Sequence, residues 1–121
     1  MVIEKARILI VDDDVEILET ISDILEAKGY IVVTARSGSK AIEQIEQTPF
    51  DIALIDIIMP GMNGIQLYRE IKRINPETKV IMMTGYSVED LVLKVIAEGA
   101  WKVLYKPLNL TELVQLVGRR G

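Results

Sequence analysis

The sequence predicts an α/β fold, a parallel β-sheet with helices packed on both faces. Three observations lead there. Short apolar runs, mostly β-branched, recur over residues 8–11, 30–35, 52–55, 80–83 and 100–105. Between them, apolar residues return at helical spacing. No repeat, linker or low-complexity stretch interrupts the alternation. Strands that alternate with amphipathic helices need crossover connections, and these cover both faces of a parallel sheet.

Taken in order, Ile8-Leu9-Ile10-Val11 is apolar throughout and halts at Asp12, Asp13 and Asp14. That is the pattern of a central strand. Ile17, Leu18, Ile21, Ile24 and Leu25 then form a helical stripe, which predicts a helix over 15–28. Asp14 is placed to cap it and Gly29 to stop it. Residues 30–35 make the second strand, and Arg36-Ser37-Gly38 its loop. A short helix over 39–47 turns Ala41, Ile42 and Ile45 inward and ends before Pro49. The third strand, Ile52-Ala53-Leu54-Ile55, runs into Asp56 and a loop holding Pro60, Gly61, Asn63 and Gly64. Ile65, Leu67, Tyr68 and Ile71 mark the third helix, closed before Asn75-Pro76. Val80-Ile81-Met82-Met83 is the fourth strand, ending at Thr84-Gly85. Ser87 is placed to cap a helix over 88–98 that Gly99 stops. Residues 100–105 form the fifth strand, ending at Lys106-Pro107. Asn109 and Glu112 have the spacing of a capping box that opens a last helix to about Val117. Right-handed crossovers leave few topologies. The expected one is flavodoxin-like: a doubly wound, five-stranded parallel sheet in the order 2-1-3-4-5, with five helices on two faces.

Composition narrows the function. At 121 residues, half of them hydrophobic, the chain is expected to be a single domain over 1–121. A net charge of −4 argues against a nucleic-acid surface. There is no cysteine and no histidine. This excludes disulfides, thiolate chemistry, imidazole bases, histidine-ligated zinc and a phosphohistidine of the chain's own. No apolar run approaches the ~20 residues that span a membrane. The first residues lack a signal-peptide pattern, so a soluble cytoplasmic domain is expected.

The strand ends carry the chemistry. The first strand ends in Asp12 and Asp13, the third in Asp56, the fourth in Thr84 and the fifth in Lys106. In a parallel sheet these ends share one edge, the edge where ligands bind in open α/β folds. With the first and third strands adjacent, three carboxylates converge. Carboxylates that close repel one another unless a cation intervenes. An all-oxygen donor set suits a hard ion, and Mg²⁺ fits well. Lys106 adds a positive charge and Thr84 a hydroxyl. Together these groups make a clamp for a phosphoryl group. Each piece alone has an ordinary explanation: an acidic run caps a helix, a threonine suits a strand, and a lysine before proline is a solvated loop charge. Their joint placement is what is specific.

The set resembles the response-regulator receiver domain of two-component signalling, of the chemotaxis-regulator type. The resemblance covers Ile8 to about Val117. It rests on ILIVDDD at 8–14, LIDIIMPGMNG at 54–64, VIMMTG at 80–85 and YKP at 105–107. It implies that Asp56 is the phosphoacceptor. It further implies that Asp13, Asp56 and the backbone carbonyl of Ile58 bind Mg²⁺ directly, and that Asp12 holds it through water. Thr84 and Lys106 would contact the phosphoryl oxygens, and the Lys106–Pro107 bond would be cis. The implied partner is a sensor histidine kinase or phosphotransfer protein. A homodimer or effector would use residues 88–117. No nucleic acid and no membrane is expected to bind this domain, which serves as a phosphoacceptor signalling module and not as an enzyme with a separate substrate.

The sequence departs from the family pattern at Val103, where an aromatic switch residue usually stands three positions before the lysine. A muted or differently built conformational response is therefore expected. Strand alternation would put Trp101, Val103 and Tyr105 on one face. Ile58 and Tyr86 occupy the positions that influence hydrolytic water; neither offers an acid or carboxamide, so slow autodephosphorylation is expected. Leu91, Val92, Leu93, Val95 and Ile96 are too many for one buried stripe, so some are expected to face outward. Two rival readings stand beside this one. Asp12-x-Asp14 after an apolar strand is also the pattern of haloacid-dehalogenase-type phosphatases, although Glu16 departs from it and the later paired acids are missing. A pseudo-receiver would keep the fold without taking phosphate. The chain reads either as a stand-alone receiver or as a piece of a longer protein.

Overall fold

The computed structural model describes residues 6–85 and 89–119, excepting the side chains of residues 89–91. The elements alternate as expected: β1 (Arg7–Val11), α1 (Val15–Ala27), β2 (Ile31–Ala35), α2 (Gly38–Gln47), β3 (Ile52–Asp56), α3 (Gly64–Ile74), β4 (Lys79–Thr84), α4 (Glu89–Ala97), β5 (Lys102–Tyr105) and α5 (Leu110–Gly118). The strands form one sheet in the order β2-β1-β3-β4-β5, and every pairing is parallel. This is the flavodoxin-like order that the sequence predicts.

The sheet divides the core in two. Leu9, Val11, Ala53, Ile55, Val80 and Met82 face a layer completed by α2, α3 and α4. Ile8, Ile10, Ile52, Leu54, Ile81 and Met83 face the layer of α1 and α5. β3 is buried along its whole length because it lies at the centre with helices on both faces. β2, at one edge, is mostly half-exposed.

The helix ends follow local chemistry. Asp14 Oδ1 accepts from the Glu16 amide (3.0 Å) and so caps α1. Gly29 follows the helix with φ +96°, a conformation that glycine adopts without strain. Ser37 caps α2, so Gly38 is the first helical residue of α2 and not part of the loop. Asn109 Oδ1 accepts from the Glu112 amide (2.9 Å), the forward half of the expected box. A full capping box stands instead at α3: Asn63 Oδ1 accepts from the Gln66 amide, and Gln66 Oε1 accepts from the Asn63 amide, both at 3.0 Å. The expected Ser87 cap and Tyr86 lie outside the described residues.

One expectation fails. Val103 packs in the α2–α4 layer, but Trp101 packs in the α1/α5 layer. β5 begins only at Lys102, so strand alternation does not reach back to Trp101. Its amide donates to Val80 O (2.9 Å), and the Lys79 ammonium lies 4.6 Å from its ring centroid. Tyr105 is 58% exposed and fills no part of the core. On α4, Val92 and Val95 are buried while Leu93 and Ile96 face outward, as the surplus of aliphatics predicts. Among the described residues, no helix is long and apolar enough to cross a membrane.

Candidate functional site at the carboxyl edge of the sheet

Register brings the strand ends together. Val11 pairs with Ile55, so the residues that follow, Asp12 and Asp56, leave adjacent strands side by side. Asp56 pairs with Met83, one step before Thr84, and Thr84 pairs with Tyr105, one step before Lys106. One carboxylate oxygen from each of Asp12, Asp13 and Asp56 lies within 4.8 Å of the others. Asp12 is fully buried and Asp56 is 6% exposed, whereas Asp13 is open to solvent. The Lys106 ammonium donates to Asp12 Oδ2 (2.7 Å) and Asp56 Oδ2 (3.1 Å). The Lys106–Pro107 bond is cis, as the resemblance implies. Thr84 is fully buried at the same edge, and its carbonyl accepts from the Lys106 amide (2.8 Å).

The electrostatics follow from this crowding. Burial raises the Asp56 carboxyl above its ordinary value, and the Asp12 charge adds to the rise. The Lys106 ammonium and the Ile58 amide, which donates to Asp56 Oδ1 (3.1 Å), only partly offset it. Burial alone would lower the Lys106 pKa, but bonding to Asp12 and then Asp56 outweighs it and holds that pKa above the lysine norm. Asp12 and Asp56 thus share one ammonium, with the Asp13 carboxylate beside them. The remaining lone pairs are oxygen donors with a surplus of negative charge, which is the chemistry a hard divalent cation satisfies.

The loop from Ile57 to Asn63 is tied at several points. The Ile57 amide donates to Met83 O (2.9 Å), and the Gly64 amide donates to Ile57 O (2.8 Å). Gly64 admits this approach because it has no side chain; a Cβ there would lie 2.5 Å from Asp56 O and 2.6 Å from Ile57 Cα. Gly61 turns the loop with φ +81°. Ile58 is 43% exposed beside Asp56. All of Asp12, Asp13, Asp56, Thr84 and Lys106 therefore stand on one edge, and direct contacts join Lys106 to Asp12 and Asp56. The Asn63–Gln66 box and the closeness of Gly64 to Asp56 were not anticipated. The first has a signal in the Asn-x-x-Gln spacing; the second has none before the fold is known.

An all-parallel sheet in this order, with acids and a lysine gathered beyond its carboxyl edge, defines a flavodoxin-like signalling domain. The chain belongs to the response regulator receiver domain family, which matches residues 8–118. It is 38% identical over 110 residues to the transcriptional regulatory protein ZraR of Klebsiella oxytoca, a match that takes in 91% of this chain and 25% of ZraR. The response regulator receiver protein CpdR of Brucella abortus (strain 2308) is 37% identical over 108 residues, 89% of this chain and 90% of CpdR. The chain thus spans about a quarter of ZraR and most of CpdR. The crystal structure of a CheY-like response regulator receiver domain protein from Methanospirillum hungatei JF-1 superposes with a TM-score of 0.93 at 35% identity, covering 97% of this chain and 94% of that one.

Proposed function

We propose that residues 1–121 act as one receiver domain that takes a phosphoryl group from a histidine kinase or phosphotransfer protein onto Asp56. The observation that carries this reading is the bridging of Asp12 and Asp56 by Lys106, with Asp13 beside them, at the carboxyl edge. An Asp56 oxygen attacks phosphorus, the P–N bond of the donor phosphohistidine breaks, and the leaving imidazole takes up a proton. Lys106 is within reach of Asp56 and so is placed to follow the charge onto the phosphoryl oxygens. Thr84 offers a hydroxyl from the neighbouring strand end. The carboxylates of Asp13 and Asp56, with the Ile58 carbonyl, would hold Mg²⁺ directly, and Asp12 through water. When bound, Mg²⁺ offsets the negative charge that gathers between carboxylate and phosphoryl group.

The donor histidine lies outside these 121 residues, which hold none. Output would pass through residues 88–117 to an effector or a second copy; Leu93 (65% exposed), Ile96 (52%) and Tyr105 offer apolar surface there. Val103 is half-buried in the α2–α4 layer and cannot rotate as an aromatic would, so a response across residues 84–106 is expected to be muted. Ile58 and Tyr86 offer no acid or carboxamide to orient water, so the acyl phosphate is expected to have a lifetime nearer hours than seconds; loss of radiolabel within a minute at neutral pH contradicts that.

The phosphatase alternative is disfavoured by Glu16, which departs from its motif, and by the absence of the later paired acids. The test is incubation with acetyl phosphate and Mg²⁺. Intact-mass spectrometry should show one added phosphoryl group, lost in Asp56→Ala, with no turnover of p-nitrophenyl phosphate. No uptake by the native chain supports a pseudo-receiver, and steady turnover supports the phosphatase.

A further inference from the structure

The loop that carries Ile57–Asn63 has one more tie, and it comes from α2. Gly38 is buried as the first residue of that helix. A methyl group built on it would sit 2.8 Å from Met62 Sδ, 2.9 Å from Met62 Cβ and 3.1 Å from Met62 Cγ. Met62 thus occupies the space where a side chain at position 38 would be, and packs against the α2–α4 core layer. Gly38 is not among the positive-φ glycines, so its backbone does not itself call for glycine. The three atoms nearest to a Cβ at position 38 all belong to Met62.

We infer that Gly38 is a positioning residue for the acidic site, acting through Met62 as a stop that fixes the loop after Asp56. The Met62 Cβ, 2.9 Å away, is the decisive contact. A thioether can rotate away from a clash, but a Cβ moves only with its own backbone. A methyl at position 38 therefore shifts the Met62 backbone, and the loop between Met62 and Asp56 has little slack. It is pinned at Ile57 by Met83 O and at Gly64 by Ile57 O. The displacement is passed to Ile58, whose amide donates to Asp56 Oδ1.

This inference rests on the reading of Asp56 as phosphoacceptor, and the test separates the two. Gly38→Ala, Met62→Gly and the double variant are compared with the native chain. In the metal-free proteins, amide resonances of residues 57–63 should shift in Gly38→Ala and return toward their Met62→Gly positions in the double variant, where removal of the Met62 Cβ leaves the methyl room. With Mg²⁺ alone as the probe, calorimetry should show weaker binding in Gly38→Ala, restored in the double variant. Phosphoryl uptake from acetyl phosphate should slow about 10-fold in Gly38→Ala, because small misplacements of reacting groups are costly, and should recover with it. Should Gly38→Ala fail to fold, the double variant against Met62→Gly still reads the contact, since the two should then match in loop resonances and Mg²⁺ affinity, and a mismatch overturns the inference. Native uptake with unmoved loop resonances in Gly38→Ala overturns the inference, as does a defect that Met62→Gly leaves in place. Absence of uptake in the native chain overturns the phosphoacceptor reading instead, while the resonance test stands.

Discussion

At the amino edge of the sheet polar groups are mostly paired off, the buried Arg7 Nε excepted, while at the carboxyl edge like charges are packed together. Thr78, almost fully buried, donates its hydroxyl to Phe50 O (2.7 Å). The Arg7 amide donates to Asp51 Oδ2 (2.8 Å), and the Lys79 amide to Asp51 O (3.0 Å). Lys72 donates to the carbonyls of Thr78 and Pro76. Burial lowers the Lys72 pKa, yet its ammonium faces only acceptors there. Both edges belong to the same strands. At the other end, Asp12 and Asp56 are buried beside Asp13 with one ammonium among them. Stability is given up at the edge where the proposed cation and phosphoryl group would be received, and kept at the opposite edge.

Substitutions at the two edges should therefore separate folding from function. The largest effect is expected for Lys106→Ala. Removing one partner of a buried ion pair leaves uncompensated charge, and a cost of about 2 kcal/mol is expected after allowing for the partial exposure of the lysine. Urea denaturation in the absence of Mg²⁺ measures it, and phosphoryl uptake should fall in parallel. A smaller loss, about 1.5 kcal/mol, is expected for Thr78→Val, which leaves the Phe50 carbonyl without its buried donor. Here phosphoryl uptake should be unchanged. Equal damage to uptake in both variants would erase the distinction between the edges.

The smallest effect has the opposite sign. The folded-state pKa of Asp56 is raised above its ordinary 3.8, so the folded chain holds that proton more tightly than the unfolded chain. Its contribution to stability is present at acid pH and is lost as pH climbs from 3.8 through the raised folded value. Asp56→Asn removes the penalty. The metal-free variant is expected to be more stable at neutral pH by on the order of 1 kcal/mol, and to gain less from Mg²⁺ than the native chain does. Stability curves against pH, with and without Mg²⁺, measure this. A variant less stable than the native chain at pH 7 would mean that Lys106 fully compensates the carboxylates.

What was legible in the sequence follows from the same contrast. Strands buried on both faces are apolar throughout, so Ile8–Val11 and Ile52–Ile55 announce themselves, and a parallel sheet places their ends together without further information. The caps at Asp14 and Asn109 are local events, read from spacing. Trp101 was misplaced because it precedes β5 and is held by Val80 and Lys79, contacts that no two-residue period encodes. The meeting of Gly38 with Met62 joins the start of α2 to the loop after β3, and only the packing of α2 beside that loop brings it about.

The most direct measurement locates the phosphoryl group itself. After incubation with acetyl phosphate and Mg²⁺, borohydride reduces an acyl phosphate on aspartate to homoserine, and tandem mass spectrometry reads its position. Homoserine at residue 56 is the expected result. Homoserine at residue 12 or 13 with aspartate intact at 56, or none anywhere, would contradict the assignment of the carboxyl edge.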